Sequence, residues 1–431
     1  MLSLGIGLAL VISLAVIAWL SKPKHLPLPP GPKPLPILGN LRDFRLKELW
    51  ISTTARSQKY GDVCYLHVLG WSVIFLSSPD SAYELLDKRG AIYSDKPQLE
   101  TMGELSLPLS NDGEKFKRQR RHMQHTLGPR SIPLPSEYLG HIRKYAGSLT
   151  LSVIYTLRAT SSEDKFLVIA EECLSILANE LTAGSGIWPV DLFPPLKYLP
   201  SWMPGAGFKR KAAIWKTKMK NFADQPFESA KLSTREGTIL SSFCSKFLAD
   251  ETLSNEEDEF KLSANSMFAA SADTTVTSIS QFILAMVMYP DILKRAQEEI
   301  DPVIGRDRQS LPYVDAVMSE VWRWGVPVPL NLPHCVRQDD VYRGMFIPKG
   351  SIVNLDYYRA ILRDKTLFPK ADVFDPDRFG PDVESELREK RDPRNYIFGF
   401  GRRRCPGADL VESSIWILIA TMIATLDIKN Q

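Results

Sequence analysis

Phe398-Gly399-Phe400-Gly401-Arg402-Arg403-Arg404-Cys405-Pro406-Gly407 sets one cysteine behind a glycine- and arginine-rich loop. An apolar run, Leu410 to Ile423, follows and reads as a helix. Proline is favoured at the first helical position, because its missing N–H would go unpaired there in any case. The pattern predicts Cys405 at a helix N-terminus, where the dipole and the amides of Gly407 and Ala408 favour an anionic sulfur. Gly399 and Gly401 permit a tight bend beneath something flat, Phe398 can shield the sulfur from water, and Arg403 offers a fixed charge to a carboxylate. A lone cysteine is by default a buried structural residue. A low-pKa thiolate beside a carboxylate-binding arginine suits instead a haem, held by its iron and by a propionate.

Phe398, Gly401, Arg403, Cys405 and Gly407 fit the pattern F-x-x-G-x-R-x-C-x-G, and the stretch resembles the haem-binding loop of the cytochrome P-450 family. The resemblance implies haem b with an axial thiolate from Cys405; that ligation is a general property of the family, carried over with the likeness.

The 431 residues are 44% hydrophobic and 24% charged, enough for a large core. Length alone suggests about three ordinary domains and is compatible with one large one. A net charge of +3 is too small to argue for nucleic acid. The five cysteines (Cys64, Cys173, Cys244, Cys335, Cys405) are odd in number, scattered and without a C-x-x-C pair. Zinc ribbons, iron–sulfur sites and disulfide frameworks are poorly supported, and a reducing compartment is expected.

Leu2 to Leu20 carries no charge and is close to the roughly 20 residues that a membrane-spanning helix needs. Lys22 and Lys24 follow, and no Lys or Arg precedes, which places the bulk of the chain in the cytosol. A cleaved signal peptide would want a positive start and a small-residue cleavage site, and a buried core helix is the other rival. Residues 1–21 are therefore expected to be an uncleaved single-pass anchor. Residues 22–39, dense in proline, are expected to be an extended, semi-rigid hinge, and 40–431 a single catalytic domain. The Pro29-Pro30-Gly31-Pro32 run resembles the hinge of microsomal members of the family, which implies the endoplasmic reticulum membrane.

Leu46 to Tyr60 reads as a helix, and Val63 to Gly70 with Ser72 to Ser77 as a hairpin around Gly70-Trp71. A second strand pair, Met345-Phe-Ile and Ser351-Ile-Val, flanks Pro348-Lys-Gly350, where a type I turn is expected. These pieces are expected to form one small sheet, and most of the remainder reads as helix. Lys115 to Arg121 is ordinarily a solvated helix face. Family members often carry W-x-x-x-R here, both residues reaching a propionate; Phe116 and Arg120 stand in those places, and Phe116 has no indole N–H to donate. Trp202 to Lys211 resembles a stretch of fungal tailoring members.

Ser254 and Glu257 fit a capping box, and the helical pattern then continues to Tyr289. The middle of this helix is Ala270-Ser-Ala-Asp273-Thr274-Thr275. Ser271 and Thr274 could simply bond carbonyls one turn back. The order resembles the family's A-G-x-D-T motif, which implies that Asp273 and Thr274 deliver protons to iron-bound oxygen; Ser271 replaces the usual glycine. Tyr313 to Gly325 reads as a helix carrying Glu320 and Arg323 on one face, by default a weak surface pair. The resemblance implies instead a buried E-x-x-R joined by Arg378, and a propionate contact for His334, which by its own surroundings is as readily a core histidine. The other histidines show no metal-ligand spacing.

Gly399-x-Gly401 lacks the third glycine and the βαβ frame of a dinucleotide loop, and no histidine partner for a thiol nucleophile can be named. The expected fold is mainly α with a small β region: the cytochrome P-450 fold, one large domain behind a transmembrane helix. Family members usually continue with strands after the helix that follows Cys405, so the chain is expected to be either truncated at its C-terminus or a divergent form of the family. The implied function is a haem-thiolate monooxygenase of fungal secondary metabolism. It would insert one atom of O₂ into a lipophilic small molecule such as a polyketide or terpenoid, using electrons from an NADPH-dependent reductase. Lys117, Arg118, Arg121, Arg402 and Arg404 offer that reductase a basic face, or merely solubilise it. The alternatives are a non-catalytic haem-binding membrane protein and a haem-thiolate isomerase or dehydratase.

Overall fold

The structure is a computed structural model and describes residues 26–36, 38–43, 49–97, 138–159, 161, 163–181, 188–237, 241–301, 308–356 and 360–429. The expected anchor, the start of the hinge, and the Lys115–Arg121 segment with Phe116 and Arg120 lie outside these residues.

A hairpin opens the described fold after helix α1 (Leu49–Tyr60). Strands β1 (Val63–Val68) and β2 (Trp71–Leu76) pair from Val63↔Leu76 to Val68↔Trp71. Leu69 and Gly70 both take positive φ, +48° and +93°, which makes the two-residue connection a type I′ turn whose twist matches the strands. After β2, Pro79–Ala82 forms one helical turn and Tyr83–Lys88 a wider one.

The bulk is helical. In chain order come α2 (Tyr138–Tyr155), α3 (Lys165–Ile176), α4 (Gly207–Arg235), α5 (Phe243–Leu248) and α6 (Glu257–Met288). They are followed by α7 (Pro290–Ile300), α8 (Pro312–Trp324) and, past the cysteine loop, α9 (Ala408–Thr425). Helix α6 runs 32 residues, about 48 Å at 1.5 Å per residue. It has no single apolar face because it is buried on several sides. Its first half packs Phe260, Ala264 and Phe268 among Leu151, Phe222 and Phe243, and its second half packs Phe282, Ala285 and Met286 among Val321, Ile415 and Ile419. The expected capping box is not its start. Glu256 is the N-cap and makes no side-chain cap bond, and the chain enters through a 3₁₀ turn, Glu251–Glu256, capped by Asp250 onto the Thr252 amide at 3.0 Å. Helix α9 is long and apolar enough to cross a membrane, yet half of it is buried within the fold, with Ile415, Ile419 and Ile423 packed beside α7 and α8.

The second strand pair is wired differently from the expectation. Strand β5 (Met345–Ile347) pairs with β4 (Asp340–Tyr342), not with β6 (Ile352–Leu355). Strand β6 runs parallel to β2 and antiparallel to β3 (His334–Cys335), giving a four-stranded sheet β1-β2-β6-β3 beside the two-stranded one. The turn at Pro348-Lys-Gly350 is type II, not type I: Gly350 has φ +79°, and the Ser351 N–H donates to the Pro348 carbonyl at 3.2 Å. The described proline-rich residues dock on the sheets, and Leu35 and Gly39 close a turn through two backbone bonds of 2.9 Å. The carbonyls of Pro27 and Pro30 accept from Phe346 and Tyr65, at 2.7 and 2.9 Å, and a Cβ on Gly31 would overlap the Tyr65 carbonyl oxygen.

Candidate functional site

The cysteine loop closes on itself. Gly399 and Gly401 turn the chain with φ +75° and +50°, and the Cys405 N–H donates to the Phe398 carbonyl at 2.6 Å. Proline is not the first helical residue here. Gly407 is the N-cap and α9 begins at Ala408, so Pro406-Gly407 forms a turn between the cysteine and the helix. Cys405 still lies just before the positive end of α9. The glycine at 401 answers to protein rather than to a cofactor: a Cβ there would stand 2.7 Å from the Leu86 carbonyl oxygen and 3.2 Å from the Asp87 Cα. The Phe398 ring meets Trp322 edge to face at 5.5 Å, and Phe398, Cys405, Gly407 and Trp322 line one cavity.

Opposite the loop, the middle of α6 forms a wall through Met267, Ala270, Ser271 and Thr274. The local bonds are those open to hydroxyls within a helix. Thr274 Oγ1 donates to the Ala270 carbonyl at 2.8 Å, and Ser278 Oγ to that of Thr274 at 3.0 Å. Asp273 does not share this wall; it is solvent-exposed and absent from the cavity lining. Adjacent residues on a helix lie about 100° apart, so Asp273 and Thr274 present to different surroundings.

A cationic corner completes the cavity. Arg403 Nε donates to the Ser94 carbonyl at 2.8 Å. His334 Nδ1 is 2.7 Å from the Tyr93 carbonyl, an acceptor only, so in the neutral ring the proton sits on Nδ1. Burial, then the nearby Lys96 and Arg403 charges, push the imidazole well below its ordinary pKa. Lys96 is buried, donates to the Leu332 carbonyl at 3.2 Å, and is itself pushed down by burial and by Arg403. Two bonds clamp residues 92–95 to β3 and so set Lys96 beside His334: the Cys335 N–H to Asp95 at 2.6 Å and the Arg337 N–H to Ile92 at 2.7 Å. Lys96, His334, Arg403 and Cys405 all line the cavity. One guanidinium stands beside two bases whose protonation is held down, an arrangement that calls for a dianion beside which they could take up charge. That is a demand which the two carboxylates of a haem would meet, with Cys405 on the same cavity to offer its sulfur. The residues present fit the group.

Behind the cavity stands the buried trio. Glu320 and Arg323 are both fully buried and paired bidentately, Nε–Oε2 at 2.6 Å and Nη2–Oε1 at 2.7 Å. Arg378 Nε is 3.6 Å from Glu320 Oε1, and the Asp375 N–H donates to the same oxygen at 2.8 Å. The remaining guanidinium donors go to carbonyls: Arg323 to Leu362 and Val373, Arg378 to Pro369 and Lys370. The trio ties α8 to the segment that leads to the cysteine loop, and burial of Glu320 outweighs its cations in raising its pKa.

Sequence reasoning missed a second ionic group on the other side of α8. Arg394, four residues before Phe398, bridges Asp315 and Glu412 at 3.1 Å each and the Ser319 hydroxyl at 2.9 Å; Arg308 joins Glu412 at 2.8 Å and pairs with Asp315. It fastens the start of the loop to α8 and α9. Lys96 and Thr150 were missed as well, since nothing in their local sequence marks them; the contacts that define them come from segments more than 100 residues away.

Comparison with known proteins agrees with this geometry. The family model described as Cytochrome P450 matches residues 29–165 and 141–431. The chain is similar to Cytochrome P450 monooxygenase claT of Ampulloclitocybe clavipes, 36% identical over 92% of this chain and 84% of that protein. It is also similar to Cytochrome P450 monooxygenase claR of the same fungus, 36% over 94% and 80%. Cytochrome P450 monooxygenase 176 of Postia placenta is 34% identical over 93% and 84%. A cysteine loop facing a helix across a cavity with a cationic corner, an E-x-x-R pair buried behind it, and relatives matched over nearly the whole chain place this protein in the cytochrome P450 family, as a monooxygenase.

Proposed function

We propose that the chain holds haem b through the Cys405 thiolate, with the propionates on Arg403, His334 and Lys96. Arg120, outside the described residues, is proposed as a further propionate contact. The chain would oxidise a lipophilic fungal metabolite of polyketide or terpenoid type. The observation that carries the reading is the convergence of Cys405 and three basic side chains on one cavity, across from Ala270, Ser271 and Thr274.

Haem bound in this way supplies the activation of oxygen; the protein supplies place, protons and dryness. Cys405 sits ahead of a helix start, which favours its anionic form. The Phe398 ring, edge to face with Trp322, stands ready to cover the sulfur side of Cys405, which is itself exposed. The hydrogen of the Thr274 hydroxyl rests on the Ala270 carbonyl, so its oxygen faces the cavity as an acceptor and fixes a water or an O–H group there. Asp273, on the water side of the same helix, exchanges protons with solvent. The exposed Arg402 and Arg404 belong to a basic face that steers an acidic, NADPH-dependent reductase. Residues 1–21 anchor the domain to the endoplasmic reticulum membrane, with Lys22 and Lys24 on the cytosolic side.

The test is the carbon monoxide difference spectrum of the reduced protein, followed by reductase-driven NADPH consumption. A thiolate-type band that Cys405→Ser abolishes is expected; a wild-type protein without that band overturns the reading. Thr274→Ala is expected to uncouple NADPH use from product formation, and unchanged coupling removes the role given to Thr274.

A further inference from the structure

The wall opposite the cysteine loop carries a hydroxyl pair that proton handling by Thr274 leaves unexplained. Ser271 on α6 and Thr150 on α2 stand with their oxygens 2.5 Å apart, and both line the cavity. Thr150 Oγ1 is also 2.7 Å from the Ala146 carbonyl, and Ser271 Oγ is 3.3 Å from the Phe268 carbonyl.

Counting hydrogens decides what this pair can do. Each hydroxyl has one hydrogen and two lone pairs, and carbonyls only accept. If Thr150 donates to Ala146, the short contact between the hydroxyls requires Ser271 to donate to Thr150. If Ser271 donates to Phe268 instead, Thr150 must donate to Ser271. In both arrangements the two hydrogens are consumed inside the protein, while Ser271 keeps a lone pair for the cavity. Its neighbours on the same wall, Met267 and Ala270, are apolar. At Ser271 the protein therefore presents an acceptor without a donor, between apolar neighbours and one helical turn from the Thr274 hydroxyl. A bound molecule that covers Ser271 with hydrocarbon or with an ether or ketone oxygen strips its water and returns nothing. A molecule that brings its own O–H satisfies it.

We infer that Ser271, held by Thr150, is a specificity-determining residue that selects lipophilic molecules already bearing a hydroxyl group. The inference rests on the proposed reading of the cavity as the substrate site. It also places the reaction after one that creates a hydroxyl, such as an earlier hydroxylation or the reduction of a ketone.

The experiment uses the full-length, haem-loaded protein and isothermal titration calorimetry with four probes of one shape: cyclododecanol, its methyl ether, cyclododecanone and cyclododecane. The alcohol is expected to bind about five- to tenfold more tightly than the ether or ketone, the effect of one neutral hydrogen bond. Ser271→Ala should bring all four probes to within about twofold after correction for their transfer from water. Thr150→Val leaves the Ser271 hydrogen only the longer contact to the Phe268 carbonyl at 3.3 Å, for which a ketone oxygen can compete, so the ketone should then approach the alcohol in affinity. Equal binding of alcohol and ether to the wild type overturns the inference, as does a preference that survives Ser271→Ala; a ketone still rejected by Thr150→Val overturns the part given to Thr150. The wild-type result stands even where a variant does not fold. Calorimetry reads the preference without the haem spectrum, so a missing thiolate band would sink the proposed function and leave this selectivity judged on its own data.

Discussion

Replacing Gly401 by alanine separates what the cofactor demands of the cysteine loop from what the protein demands. The residue has φ +50°, and its Cβ would stand 2.7 Å from the Leu86 carbonyl oxygen and 3.2 Å from the Asp87 Cα. A left-handed backbone costs an alanine about 1–2 kcal/mol. The contact is too short by roughly half an ångström and meets the backbone of two consecutive residues, so the loop or the Tyr83–Lys88 turn must move; overpacking of this kind costs about 1–3 kcal/mol. The sum is about 2–5 kcal/mol, a large share of the stability of an ordinary domain. Gly344, in the β4–β5 hairpin, is the control. Its φ is +76° and a Cβ would meet nothing within 4 Å, so Gly344→Ala pays for the backbone alone. The assay is urea unfolding of both variants, with and without haem, compared at matched m-values. Gly401→Ala should lose more stability than Gly344→Ala in both states, because its clash is between protein atoms. Equal losses would refute the packing argument. A loss confined to the haem-loaded protein would return Gly401 to the cofactor.

Three further outcomes follow from the same structure. Glu320→Ala leaves Arg323 and Arg378 buried without their carboxylate and the Asp375 amide without its acceptor, at a cost of about 3–5 kcal/mol in urea unfolding; a loss below about 1 kcal/mol would mean that the trio is not the lock it looks to be. Arg394→Met unties the loop from α8 and α9 and should cost about 1–3 kcal/mol, the side chains being only partly buried, with faster haem loss as the accompanying sign. In the haem-free chain His334 is held neutral, with its folded pKa depressed below the unfolded value. At acid pH the unfolded chain binds a proton that the folded chain refuses, so this residue's penalty is absent above about pH 6.5 and grows as pH falls below it, by at most about 1.4 kcal/mol per unit. His334→Gln should flatten that slope in urea unfolding measured from pH 7.5 to 5, and an unchanged slope would assign it elsewhere.

The loop around Cys405, the pairing of Glu320 with Arg323 and the helical middle at Thr274 were legible because each is local: ten residues, a spacing of three, a single helix. The hairpin at Gly70 was legible for the same reason, since two positive-φ positions between alternating apolar runs leave the chain little choice. The turn at Pro348 was misread because proline and glycine suit more than one turn type, and only the φ of Gly350 separates them. The partners of β5 and β6 were misread because strand pairing depends on which segments the fold brings alongside, and sequence neighbours are merely the nearest candidates.

By itself the sequence determined the cysteine loop, the family and the scaffold pair, because those rest on residue types at short fixed spacings. Tertiary structure alone decided that Lys96 joins His334 and Arg403, that Asp273 stands in water while Thr274 faces the cavity, and that Ser271 meets Thr150 across two helices. Each of these is a distance between segments far apart in the chain, or the facing of one side chain among neighbours 100° round a helix. No local pattern encodes either one, because burial and charge act on whatever the fold has placed nearby.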